Sequence, residues 1–198
     1  MKKLLSILCA LAVLLGLTAC AKPESEPIPE PEPEPVVHDV SGRWTAELDV
    51  SEALTKAVGG YGEMFAYLKI EGVTIDLTME FTGVGSGSVV STYVLPDESV
   101  DRIREAFFSA ARAYLDERGE EYTEEALSDL LSASINELTG GFSRVSEGSY
   151  TAVDNKLTVT PASGGDPVGY SITLFTDNAL TLVPDSEGAA AIELTRVF

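Results

Sequence analysis

Side chains suited to nucleophilic, acid–base or metal chemistry are few in this chain and badly placed for it. There is one histidine, His38, and two cysteines, Cys9 and Cys20, both within the first 20 residues. A Ser-His-Asp or Cys-His relay needs an imidazole held by folded elements around it, and a zinc site needs three or four His, Cys or carboxylate ligands. His38 follows a Pro/Glu stretch and reads as an exposed linker residue. The carboxylate pairs sit where local structure accounts for them. Asp97 and Glu98, and Glu120, Glu121, Glu124 and Glu125, surround helix starts, where the macrodipole favours negative charge. Asp76 and Glu80 fall on the polar side of a strand pattern, as solvated residues do. Gly83-Val84-Gly85-Ser86-Gly87 joins two strand patterns and lacks the lysine and following helix of a phosphate loop. The residues therefore point to a non-enzymatic chain with no catalytic group, metal site or cofactor.

The N-terminal chemistry is of another kind. Lys2 and Lys3 precede an apolar run, Leu4 to Leu17, broken only by Ser6 and followed by the small residues Thr18 and Ala19. These are the three parts of an export signal, and the run is too short to cross a bilayer. Lys22 to Val37 reads KPESEPIPEPEPEPVV. Alternating Pro and Glu fixes φ, removes backbone donors and adds repulsion, so a semi-rigid polyproline II spacer is expected, reaching on the order of 50 Å. The division is thus a signal at 1–19, Cys20 with a linker to residue 37, and a folded domain over 38–198. Leu17-Thr18-Ala19-Cys20 resembles the lipobox of bacterial lipoproteins. That resemblance implies cleavage before Cys20, diacylglycerol on its thiol, and attachment to the extracytoplasmic face of a membrane, where two acyl chains anchor stably and one does not.

The whole sequence carries a net charge of −19, and residues 38–198 carry −17. A field of that sign repels nucleic acid and anionic headgroups, so no nucleic-acid partner is expected. Beyond Cys20 there is no cysteine, hence no disulfide, and stability must come from an apolar core that 161 residues are long enough to build.

Period-two alternation dominates that region. Trp44, Ala46, Leu48 and Val50 share one side of Gly42–Val50, and Val73, Ile75, Leu77, Met79 and Phe81 alternate with polar residues. Ser88–Leu95 returns after the glycine-rich turn. Ser149–Val153 and Lys156–Thr160 flank Asp154-Asn155, Tyr170–Phe175 and Ala179–Val183 flank Asp177-Asn178, and Ala191–Val197 ends the series. Eight sequential strands predict a mainly β (α+β) fold, either an eight-stranded antiparallel up-and-down barrel or a strongly curved sheet. Helices interrupt it twice. Over 51–68, Ser51 reads as an N-cap for Glu52–Val58, and Tyr61, Met64, Phe65 and Leu68 share a helical face. Over 97–138, apolar stripes at Val100, Ile103, Phe107, Ala110 and Tyr114 and at Leu127, Leu131 and Ile135 predict a helical hairpin between the third and fourth strands.

Gly42-Arg43-Trp44 resembles the Gly-x-Trp that opens the first strand of lipocalins and related calycin barrels. The whole layout resembles lipocalin-like bacterial lipoproteins of uncharacterised function. The likeness implies a barrel closed at one end by Gly42, Trp44 and a basic residue of the last strand, here Arg196, lying over the indole. The helical inserts offer Met64, Phe65, Phe107, Tyr114, Leu127 and Leu131 as walls of a candidate apolar pocket. Two functions stay open. One is a membrane-anchored barrel binding a small apolar or amphipathic ligand; the other is a cell-envelope protein-interaction module with a filled core.

Overall fold

The computed structural model describes residues 34–59 and 62–198. The signal segment, Cys20, the linker as far as residue 33, and Tyr61 lie outside the described residues.

Eight antiparallel strands close into one barrel in sequential order: β1 (Gly42–Asp49), β2 (Thr74–Thr82), β3 (Ser86–Val94), β4 (Arg144–Val153), β5 (Lys156–Pro161), β6 (Val168–Phe175), β7 (Ala179–Pro184) and β8 (Ile192–Val197). Alternation sets which residues go inward. Along β2, Ile75, Leu77, Met79 and Phe81 are buried while Asp76, Glu80 and Thr82 are exposed. The inner face of β1 lines up with it through the pairs Trp44↔Met79 and Ala46↔Leu77. Closure of β1 on β8 is short. Only Arg43↔Val197, Trp44↔Arg196 and Thr45↔Thr195 pair, and the two strands part beyond Thr45. That seam leaves clefts lined in part by Glu47, Leu48, Ile192 and Glu193.

The connections obey their local chemistry. Asp154 and Asn155 take left-handed φ of 52° and 59° between β4 and β5, the conformation a two-residue hairpin turn requires. Between β1 and β2 lie α1 (Ser51–Val58) and a 3₁₀ helix, Glu63–Tyr67. The helical face expected after Gly59 at Tyr61, Met64, Phe65 and Leu68 is only a short 3₁₀ helix among the described residues. Gly59 ends α1, and the second piece keeps only i→i+3 bonds, from Phe65 N to Gly62 O and from Leu68 N to Phe65 O, before Leu68 turns extended. Ser51 is the first residue of α1 and does not cap it. Its Oγ instead accepts the Val73 N–H at 3.0 Å, tying the helix to the approach of β2, while Asp49 Oδ1 accepts the Ser51 N–H.

Between β3 and β4 come α2 (Asp97–Arg118) and α3 (Glu124–Gly140). Thr123 caps α3 by accepting the Ala126 N–H. The buried faces of α1, α2 and α3 pack with Leu68, Ile70, Val73, Ile75 and Leu95 in one apolar cluster at the Asp49 end of the barrel. The barrel interior forms a second cluster around Trp44, Leu77, Phe81, Tyr150, Leu157, Leu180 and Leu182, and Tyr93 packs against both.

The folded region starts earlier than residue 38. Val37 bridges Val153, the Val36 N–H donates to Asp154 Oδ1, and the His38 N–H donates to Ala152 O. Residues 36–40 thus form a strap across the Gly42 end, with Val40 fully buried beneath it. His38 is correspondingly half-buried, not an exposed linker residue. Its Nε2 lies 3.0 Å from Asn155 Oδ1, and its ring meets Phe175 edge-on at 5.3 Å.

Candidate functional site

At the strapped end, Gly42, Trp44 and Arg196 come together. Trp44 is fully buried and its indole N–H donates to Val40 O at 2.8 Å. The Arg196 guanidinium carbon lies 4.6 Å from the indole centroid, and Nη2 donates to Ser41 O at 2.9 Å. Nε is buried without a hydrogen-bond partner, so stacking on the ring carries that side of the group. Gly42 takes φ +114°, a conformation that L side chains rarely adopt, to bring the strap into β1. The Trp44 N–H and Arg196 Nη2 both bond to backbone carbonyls of residues 40 and 41, so the cluster ties the strap to the first and last strands.

The barrel interior is packed with buried apolar side chains. Trp44, Leu157, Leu180 and Leu182 are fully buried, and Phe81 and Tyr150 pack edge-to-face at 4.9 Å. The Tyr150 hydroxyl donates to Gly83 O at 2.5 Å. Burial pushes the Tyr150 and Tyr170 hydroxyls above their ordinary range, so both stay neutral. A small barrel of eight strands either fills in this way or keeps a lumen for one ligand; this one is filled.

The helical cap carries an open cleft of its own. A cleft of about 400 Å³ opens between α1, the 3₁₀ helix, α2 and α3, lined by Ala57, Val58, Phe65, Phe107, Ser134, Glu137 and Leu138. Phe65 and Phe107 meet edge-on at 5.9 Å and form its floor. Of the other expected pocket residues, Leu127 and Leu131 are buried in the cluster beneath and Met64 packs half-buried against it, so none of the three lines the cleft. Tyr114 lies elsewhere, edge-on to Tyr67 at 6.1 Å. Ala57, Val58, Ser134, Glu137 and Leu138 carry no sequence signal of a site. They line the cleft because of how the helices cross, and spacing within each helix does not encode that crossing.

Among the described residues no group of three or more His, Cys, Asp or Glu side chains is placed to hold a metal ion, and no helix is long and apolar enough to cross a membrane. Comparison with protein-family models, with curated proteins and with solved structures finds no match for this chain. What the chain can do must therefore be read from its own geometry.

Proposed function

We propose that this chain is an exported lipoprotein, anchored through Cys20 at the extracytoplasmic face of a membrane, that binds the apolar part of a small amphipathic molecule in its helical cap. The observation that carries the binding half is the pairing of a filled barrel with an apolar cleft of about 400 Å³ above it. That volume lies at the small end of the range for ligand sites, roughly 300–1,000 Å³, and suits a single chain or ring. Among the described residues Glu137 is the one charged group on the lining, so a neutral or cationic polar end is favoured over an anionic one. The anchoring half rests on the lipobox-like Leu17-Thr18-Ala19-Cys20 and the apolar run before it.

Each half has its own experiment. Cys20→Ala should abolish incorporation of labelled palmitate and move the protein out of the membrane fraction; unchanged labelling refutes the anchor. For the cleft, a neutral probe such as N-phenyl-1-naphthylamine avoids repulsion by the acidic surface. Its fluorescence should rise and saturate on addition of the protein. Ser134→Phe, at an exposed position on the cleft wall, should remove that response without lowering the melting temperature. An unaltered response would move the function to the second reading, an envelope interaction module, which the solid barrel interior favours.

A further inference from the structure

The 3₁₀ helix and the last turns of α2 enclose a second recess, of about 470 Å³, lined by Glu63, Ala66, Tyr67, Tyr114, Glu117 and Arg118. The rings of Tyr67 and Tyr114 meet at an interplanar angle of 67°, so they make two walls of a corner. A carboxylate stands at the hydroxyl of each wall: Tyr67 donates to Glu117 Oε2, and Tyr114 donates to Glu63 Oε2 at 3.4 Å. A cation already occupies part of the corner. The Arg118 guanidinium carbon is 5.2 Å from the Tyr114 centroid and Nη1 is 3.4 Å from Glu63 Oε2, while Nε makes a shorter bond, 3.0 Å, to Glu120 Oε1.

We propose that this recess binds the protonated amine of an alkylammonium ligand, with Tyr67 and Tyr114 as walls, Glu63 and Glu117 as counter-charges, and Arg118 as an internal plug. The face of an aromatic ring attracts a cation through its quadrupole, and two faces at an angle do so from two sides. An ammonium N–H also makes charge-assisted bonds to carboxylate oxygens, which a guanidinium tethered to Glu120 reaches only at long range. Glu63, Glu117 and Glu120 outnumber the single cation Arg118, and the protein's field further concentrates positive ligands. Entry requires little rearrangement, because Arg118 can give up the 3.4 Å contact to Glu63 and keep the 3.0 Å bond to Glu120. The donated bond to Glu117 raises the Tyr67 pKa above the ordinary phenol range, so the wall stays neutral wherever an alkylamine is charged. This recess and the cap cleft use different faces of the 3₁₀ helix, Glu63, Ala66 and Tyr67 on one and Phe65 on the other. Either site can therefore fail without the other.

The test is a titration of the full chain with n-butylammonium chloride at constant ionic strength, following the Tyr67 and Tyr114 ring resonances, with sodium butyrate as the control. Saturable shifts of both rings with butylammonium, and none with butyrate, are expected. Arg118→Gln unplugs the corner and should tighten binding roughly two- to five-fold. Tyr67→Leu combined with Tyr114→Leu, followed through the backbone amide resonances of Ala66 and Arg118 because the rings are gone, should abolish it. Glu63→Gln combined with Glu117→Gln, which leaves both rings in place, should weaken it by a similar factor at an unchanged melting temperature. The absence of saturable shifts, or weaker binding by Arg118→Gln, overturns the assignment. So does binding by either double variant equal to that of the parent chain.

Discussion

The guanidinium of Arg196 lies over Trp44 with its central carbon 4.6 Å from the ring centroid, although the two residues are 152 positions apart in sequence. β1 and β8 meet at this pair, in direct register, so the contact joins the first strand to the last. Arg196→Leu should cost about 1–3 kcal/mol, from a partly desolvated cation–π contact of about 0.5–2 kcal/mol and the lost bond to Ser41 O. Trp44→Phe keeps a ring but strips Val40 O of its donor, and should cost a similar amount. The double variant should cost less than the sum, because each change removes the same contact. Urea unfolding checks all three. In Arg196→Leu the intrinsic emission of Trp44, the only tryptophan in the chain, reports the transition directly.

The strap depends on one glycine. Gly85 has φ +66°, and a Cβ built there would lie 2.2 Å from Val37 Cγ1. Gly85→Ala should therefore destabilise the chain by more than about 1 kcal/mol and speed amide exchange at His38 and Asp154, whose N–H groups bond across the strap. Adding Val37→Ala removes the collision but leaves the backbone strain. It should recover part of the loss; equal stability of the single and double variants would show that the collision does not matter.

Acid should weaken the fold in a defined window. Asp39, Asp49, Glu52, Glu124 and Asp185 are all held below their ordinary values. For Asp39 and Asp49 the main cause is the hydrogen bond with Ser41 and Ser51 respectively; for Glu52, Glu124 and Asp185 it is the bond with Lys56, Arg112 and Lys156. A group whose folded pKa is depressed stabilises the fold above its unfolded pKa, about 3.9 for Asp and 4.3 for Glu. That contribution is lost as pH falls through the folded value. The melting temperature should be nearly level from pH 7 to about 5 and drop below about 4.5. All five groups are exposed, so the slope is shallow, and Asp185→Asn should make it shallower still.

The barrel was legible in sequence where burial alternates strictly. Val73 to Phe81 anticipates β2 to within one residue, and Asp154-Asn155 marks the β4–β5 hairpin. β4 was legible only in its second half. Its first residues, Arg144 to Glu147, are all exposed, and they form strand by pairing with β3 rather than by burying a face. The strap was hidden for a different reason. Val36 and His38 bond to residues 114 or more positions away, and the adjoining Pro/Glu run gives residues 36–38 the look of linker.

The candidate sites divide in the same way. Phe65 and Phe107 stand out as apolar positions at helical spacing, and both line the cap cleft. Leu127 and Leu131 carry the same pattern and are buried beneath it, because periodicity reports which face is turned inward but not where three helices fail to meet. The Tyr67–Tyr114 corner depends on the 3₁₀ helix, whose change of period moves Tyr67 off the face a regular helix would have assigned to it.

The seam between β1 and β8 offers the last prediction. With Thr45 paired to Thr195, two residues further along would place Glu47 opposite Glu193, and Glu47 is already paired with Asp76 on its other side. Three carboxylates would then sit side by side across three strands. Like charges directly opposite one another destabilise a strand pair by a few tenths of a kcal/mol or more, and pairing stops just where this row would form. Glu193→Lys converts the repulsion into an attraction and should raise stability by about 0.5–1 kcal/mol in low salt. At 1 M NaCl, where the screening length is about 3 Å, most of the gain should vanish. Protection of the Glu47 amide, which points toward β8 as Thr45 does, should rise together with stability, because the strands can then continue to pair past Thr45. If Glu193→Lys stabilises the chain equally at both salt concentrations, or leaves the Glu47 amide unprotected, charge repulsion is not what parts the strands.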